Sequence, residues 1–451
     1  MDDLLDDAAR RAARYLASLP TRRVAPADDA VAALSGFDMP MPANPQPAAQ
    51  TLSLLDTLGS PATSASASGR YFGFVTGGAL PVTVASHWLA TAWDQNAALH
   101  HAAPGVSKLE KVALRWLLEL LGLPPTAGGA FVTGATMANF TALAAARHAV
   151  LARAGWNVEA DGLFGAPPIT VVVGDEVHPT LLKALGLLGL GRKRLLRVPV
   201  DGQGRLRPEC LPALQGPAIV CAQAGNVNTG AVDPLPPVIA HARAHGAWVH
   251  VDGAFGLWAA ASPVLAPLVA GIGQADSWAT DAHKWLNVPY DSGIAFVRDA
   301  PALVAAMAVS ADYLPTEGVT RNPADHTPEL SRRARGVDVW AALHTLGRSG
   351  LAELIERCCG HARRFARELQ AMGATVLNEV ALNQVLVSFG EPGLTRRVVA
   401  ALQQDGTCWC GPTVWQGHTA MRISVSSWAT TDEDVTRSLA AMQRVWAEQR
   451  R

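Results

Sequence analysis

Apolar positions recur at helical spacing over residues 2 to 19, where Leu4, Leu5, Ala8, Ala12, Tyr15, Leu16 and Leu19 share a face and Pro20 follows as a stop. The pattern predicts one amphipathic helix. Pro26, Pro40, Pro42, Pro45 and Pro47 then preclude regular structure in much of the interval to Gln50, and the small-residue run from Pro61 to Gly69 reads as a second loose connector. Residues 1–70 therefore read as an N-terminal arm laid over something else. A helical pattern runs from Val106 to Leu121, and from Ala130 onward short apolar runs alternate with helices. The predicted strands are 169–173, 218–222, 248–251, 276–280 and 293–297. Runs that are apolar throughout, separated by helices, imply a mostly parallel sheet covered on both faces. From about residue 300 the pattern changes to long Ala/Leu/Arg helices with strands near 374–377, 384–388 and 421–425, a smaller α+β C-terminal domain. The expected organisation is an arm at 1–70, a large domain at 71–300 and a small domain at 301–451.

Composition narrows the function classes. Of 451 residues 49% are hydrophobic and 17% charged, so the chain has ample material for a packed core. Lys plus Arg number 37 against 38 Asp plus Glu, and a net charge of −1 gives no field to draw nucleic acid or an anionic membrane. No stretch approaches the roughly 20 apolar residues of a spanning helix, and the acidic start, Asp2, Asp3, Asp6 and Asp7, is unlike a secretory leader. A cytoplasmic location is the expectation. The six cysteines are sparse and lack the spacing of a zinc site, so they read as reduced thiols and no metal is expected.

Chemistry gathers at four predicted strand ends. Lys284 follows His283 between Trp278 and Trp285, where desolvation frees an amine to attack an aldehyde; alone it reads more readily as a snorkelling surface lysine than as a catalyst. Asp252 ends the apolar run Trp248-Val-His-Val-Asp, and a carboxylate at that edge can hold a pyridinium nitrogen protonated or merely cap a turn. Phe131-Val-Thr-Gly-Ala-Thr-Met-Ala-Asn139 is a strand, a small-residue turn and a helix start, a weak signal for phosphate. His178, in Gly174-Asp-Glu-Val-His178-Pro179, is placed to lie flat on an aromatic ring, though a lone histidine is usually a satisfied polar group.

Phosphate turn, stacking histidine, acid and lysine in that order resemble the fold-type-I pyridoxal phosphate enzymes, and in detail the group II amino acid decarboxylases, the aromatic amino acid and glutamate decarboxylases among them. Arg70-Tyr-Phe-Gly-Phe-Val-Thr76, Ser107-Lys-Leu-Glu-Lys-Val112, Thr133 to Asn139, Gly225 to Pro234, His250-Val-Asp-Gly-Ala254 and His283-Lys284-Trp285 carry the resemblance, from residue 70 to about 430. It implies an α/β fold with a mostly parallel seven-stranded sheet in the large domain, and pyridoxal 5'-phosphate as cofactor. It makes Lys284 the Schiff-base lysine, Asp252 the partner of the ring nitrogen, His178 the residue stacked on the ring and Ala254 its neighbour on the other face. Ala135 and Thr136 would hold the phosphate, with His283 nearby, and Arg422 would face the substrate. A homodimer is implied, its active site at the interface with Phe74 and Thr76 contributed across it. The implied reaction is decarboxylation of a small-molecule L-amino acid through an external aldimine and a quinonoid; an aminotransferase or a decarboxylation-dependent aldehyde-forming enzyme would share every cofactor residue. A binding protein that merely kept the fold would be expected to lose Lys284 or Asp252.

The sequence departs from that family in three places. The active-site loop, expected near 314–330, carries no tyrosine in Thr316 to Pro328, so either Tyr313 upstream or His326 within it is expected to pass the proton, or the reaction does not end in simple protonation at that carbon. The family's Gly-Thr-Thr is Gly225-Asn226-Val227. Asp281 stands where the family carries an asparagine, and an acid near a phosphate is expected to point elsewhere.

Overall fold

The structure is a computed structural model that describes residues 2–309 and 321–451. Tyr313 and residues 314–320 of the expected loop lie outside the described residues. The strands are β1 (Gly128–Val132), β2 (Thr170–Gly174), β3 (Leu196–Val198), β4 (Ala218–Gln223), β5 (Trp248–Asp252), β6 (Ser277–Asp281), β7 (Gly293–Val297), β8 (Thr375–Val376), β9 (Gln384–Ser388), β10 (Gly411–Trp415) and β11 (His418–Ser424). The first seven form one sheet in the order β1-β7-β6-β5-β4-β2-β3. Pairing is parallel from β3 through β6, and β7 alone runs antiparallel to its neighbours β6 and β1.

Every residue of β1, β5, β6 and β7 is buried, which is why these strands read as apolar runs rather than as alternating patterns. The helix Ala135–Arg153 lies against β5, β6 and β7. Its buried face is built largely from alanine (Ala138, Ala142, Ala145, Ala146), so its backbone approaches the sheet closely. That close approach fixes where the helix's first N–H groups point.

The chain divides into two compact units, one comprising Met1–Gly78, His361–Leu377 and Val385–Arg451, the other Ala79–Gly360 and Asn378–Gln384. The expected boundaries at 70 and 300 therefore move. Residues 321–360 go with the large sheet because buried arginines tie them there: Arg332 donates to Phe131 O (2.6 Å), Ala97 O (2.8 Å) and Glu110 Oε2 (2.7 Å), and Arg321 to Gly129 O (2.7 Å). Two cations on one fully buried carboxylate hold Glu110 below its usual range against burial, which alone would raise it.

In the other unit the N-terminal segment packs on C-terminal residues. Arg70, fully buried, donates to Pro20 O, Arg22 O and Thr407 O, and Val24 N–H to Gly406 O. The interval expected to be irregular contains the short helices Asp28–Ala32 and Ala48–Leu54, which fit between its prolines. The four-stranded sheet has the order β10-β11-β9-β8. No helix among the described residues is long and apolar enough to cross a membrane.

Candidate active site

The carboxyl ends of β2, β5 and β6 each deliver a functional side chain to the same edge of the sheet. β5 ends in Asp252, which is 5% exposed. Its Oδ2 accepts from Asn139 Nδ2 (3.2 Å) and its Oδ1 from the Ala254 N–H (3.3 Å). Burial pushes the Asp252 carboxyl up, opposed by the positive ends of His178 and Lys284 and by the Asn139 bond. A cationic ring nitrogen is the partner such a group lacks.

Behind Asp252 runs a chain of buried polar groups. Asn139 Oδ1 lies 2.8 Å from His250 Nε2, His250 Nδ1 lies 2.9 Å from Ser277 Oγ, and Ser277 Oγ accepts from Trp248 Nε1 at 2.8 Å. Burial lowers His250 to about 3, so its imidazole is neutral at ordinary pH. Since the indole can only donate, one polarity satisfies every link: Ser277 O–H donates to Nδ1, the Nε2 proton goes to Asn139, and the amide turns its own N–H on Asp252. Asn139 and His250 were quoted above as parts of motifs but given no role. Their signal was polar residues on elements otherwise wholly buried.

β2 leads to His178, which caps the helix Pro179–Leu187 with its own ring: Nδ1 accepts the Thr180 N–H (3.3 Å) and meets Thr180 Oγ1 at 2.6 Å. An accepting Nδ1 leaves the proton on Nε2. Thr180 thus fixes both ring angle and tautomer.

β6 ends in Asp281, and the next turn carries His283 and Lys284. Lys284 Nζ is 3.1 Å from Asp281 Oδ2. Asp281 Oδ1 accepts the N–H of Ala135, first residue of the helix Ala135–Arg153, at 2.6 Å. The expectation that Asp281 points away from the phosphate turn is therefore corrected: the helix terminus is the strongest donor within its reach. His283 stacks on Tyr290 (4.4 Å between centroids), accepts from Ser292 N–H (3.2 Å), and is lowered by burial. Gly293 permits this crowding, because a Cβ there would lie 2.4 Å from Gly134 Cα. Asn226 explains the altered Gly225-Asn226-Val227 turn: its Oδ1 takes the Asn228 N–H (2.8 Å) and its Nδ2 donates to Glu176 (2.9 Å).

The remaining candidates lie on other elements. Arg422 lies on β11 opposite Gly411, and burial lowers its guanidinium. Phe74 is 60% exposed and tilts against Trp409 (5.2 Å), while Thr76 is buried. His326 lies near the start of β1. It ends the short helix Pro323–His326 and borders a cavity of about 730 Å³ with Gly128 and Gly129, at the start of β1, whereas the phosphate turn follows the end of that strand. Burial and Arg321 lower it to about 4, so it carries no exchangeable positive charge at neutral pH. The residues around it were read as loop tip, but Arg321 pins them to Glu110 and Gly129.

The donor set fits pyridoxal phosphate: an amine for its aldehyde, a buried acid for its ring nitrogen, an oriented imidazole and a helix terminus for its phosphate. Comparison with known proteins agrees. A Bacillus atrophaeus aromatic-L-amino-acid decarboxylase is 30% identical over 315 residues, 67% of this chain and 62% of that protein, so the chain aligns with about three-fifths of this relative's length. Tryptophan decarboxylase 1 of Oryza sativa subsp. japonica is 28% identical over 400 residues, 80% of this chain and 77% of that one. The fold superposes on the crystal structure of Oryza sativa TDC with PLP and tryptamine with a TM-score of 0.91 at 24% identity, covering 99% of this chain and 97% of that one. The pyridoxal-dependent decarboxylase conserved domain matches residues 34–390, and the chain, with Asp252 ending β5 and Lys284 in the turn that follows the adjacent β6, belongs to that family.

Proposed function

We infer that this protein is a carboxy-lyase that removes the α-carboxyl group of an L-amino acid to give an amine and carbon dioxide, acting in the cytoplasm as a homodimer. The observation that carries the reading is the convergence of Lys284, Asp252 and His178 on one sheet edge beside the Ala135 helix terminus, in a member of the pyridoxal-dependent decarboxylase family.

When bound, pyridoxal phosphate supplies an aldehyde for the substrate amine and a ring that accepts the electrons left by departing carbon dioxide. Lys284 Nζ is the amine that would hold the aldehyde of the cofactor. Asp252, which accepts from Asn139, would sit at the ring nitrogen and favour its protonated form. His178 would lie along one ring face with Ala254 on the other, and Thr180 keeps the imidazole from rotating. Ala135, Thr136 and His283 would receive the phosphate. One proton must replace the lost carboxylate. Nε2 of His178 and Nζ of Lys284, both at the sheet edge that carries Asp252, are the candidate sources among the described residues, beside the His326 that the sequence offers.

The dimer reading is supported by the helix Pro81–Trp93, which leaves Trp88, Leu89 and Trp93 about half exposed (47%, 55% and 46%). An apolar patch of this kind favours a protein partner. Trp88→Asp should convert the species seen by light scattering to a monomer. For the reaction, the holoenzyme should release amine and carbon dioxide in equal amounts from one or a few L-amino acids. A keto acid would show an aminotransferase instead, and an aldehyde accompanied by hydrogen peroxide would show the oxidative outcome.

A further inference from the structure

Asp281 is 3% exposed and meets a different partner with each oxygen. Oδ1 takes the Ala135 N–H at 2.6 Å and lies 3.6 Å from His283 Nε2, while Oδ2 lies 3.1 Å from Lys284 Nζ. Its backbone oxygen accepts Trp258 Nε1 at 3.0 Å, which fixes the strand end itself. The other charged groups around this cluster are Asp291, near His283, and Asp252 with His178 on the far side of Lys284.

The attraction at this point is finite. It amounts to one ammonium, plus the roughly half charge of a helix N-terminus that runs for 19 residues. One carboxylate suits it. A phosphate arriving at the same terminus brings further negative charge and needs the same Ala135 N–H. A backbone N–H cannot serve two anions at full strength, and two buried anions side by side repel. An asparagine here would keep the hydrogen-bonding shape and remove the conflict.

We propose that Asp281 is a built-in competitor of the cofactor's phosphate: it claims the Ala135 N–H, weakens the site's hold on phosphorylated ligands, and leaves the covalent link at Lys284 as the principal tether. The inference rests on the reading that Ala135 and Thr136 receive the phosphate. It predicts an enzyme whose loading follows cofactor supply, because the non-covalent part of the binding is deliberately modest.

The test uses full-length protein freed of cofactor with hydroxylamine and titrated with pyridoxine 5'-phosphate, which has no aldehyde and so cannot react with Lys284, and with unphosphorylated pyridoxine. Asp281→Asn should tighten pyridoxine 5'-phosphate by about tenfold or more, one pK unit's worth of charge at hydrogen-bond distance, and change pyridoxine by less than about twofold. Asp281→Ser carries the same expectation should the amide variant fold poorly. Thr136→Val should weaken the phosphorylated ligand alone. Equal or weaker binding of pyridoxine 5'-phosphate by both Asp281 variants, or an equal gain for pyridoxine, overturns the role of Asp281. If Thr136→Val leaves the phosphate preference intact, the phosphate reading falls and takes this inference with it.

Discussion

Two aspartates end adjacent parallel strands, Asp252 on β5 and Asp281 on β6, both almost wholly buried, yet their surroundings differ in kind. Asp252 is backed by neutral donors arranged in a line, with Asn139, His250, Ser277 and Trp248 all turning their protons toward it. Asp281 is held by groups that have other work: an amine that reacts, a histidine, and a helix terminus suited to phosphate. Neutral donors make a carboxylate a permanent fixture. Partners that are themselves consumed or reassigned make it a provisional one. The same side chain, one strand apart, thus serves as fixed electrostatics in one place and as a displaceable ligand in the other.

The largest effect should come from Lys284→Ala, which removes the partner of Asp281 and the anchoring amine together. Turnover should fall by at least about a thousandfold. Borohydride reduction and peptide mapping of the native enzyme should find the pyridoxyl group on Lys284, and a label on Lys183 or Lys193 would refute the assignment.

Next is Asp252→Ala, which should slow the holoenzyme by about two to four orders of magnitude, since a buried charge at the ring nitrogen is worth several pK units. A loss below about tenfold would mean that Asp252 only caps its turn. Asn139→Ala sharpens the contrast further. It leaves Oδ2 of Asp252 and Nε2 of His250 without a buried partner, at a cost of about 1–3 kcal/mol in denaturant unfolding, with an activity loss of about tenfold. Asn139→Asp, which keeps the shape and reverses the donor, should be worse than alanine. If it is better, the donor line runs the other way.

The smallest effect concerns pH. In the unfolded chain His250 protonates near pH 6.5, whereas in the fold it resists protonation down to about pH 3. Between those values the unfolded chain binds the extra proton, so stability rises with pH across that window and is lost on acidification. The slope from this residue is about 1.4 kcal/mol per pH unit. His326, lowered to about 4, adds in the same sense over a narrower range. Asp233, which accepts the Leu206 and Gln223 N–H groups and is raised to about 6, works the other way between about pH 4 and 6. His250→Gln should flatten the net dependence of Tm on pH, and an unchanged profile would show that the imidazole is not held neutral.

Much of this was legible beforehand because burial on both faces writes itself into sequence. Strands β4, β5 and β7 begin at the expected residues, since their Val, Ile and Trp runs have few other uses. Lys284, Asp252 and His178 were legible as motifs. β10 was not, because Gly411 and Pro412 argue against a strand; it is tolerated at the edge of its sheet, where Pro412 is exposed. The line behind Asp252 was also hidden. Asn139 and Ser277 lie 138 positions apart and become neighbours of His250 only once the helix Ala135–Arg153 lies across the strands. The setting of His326 was hidden as well, because distance along the chain says nothing about which end of β1 a segment meets.

The reversal of β7 has a consequence for assembly. Parallel neighbours in this sheet wait for crossover segments to form, but β6 and β7 are joined by residues 282–292 alone and pair antiparallel from Asp281 with Gly293. The segment bearing His283 and Lys284 is therefore a local closure, cheap in chain entropy and able to pair before the distant strands arrive. The backbone setting of Lys284 thus needs only a local closure, whereas that of Asp252 and the Ala135 terminus depends on pairing and docking between distant segments.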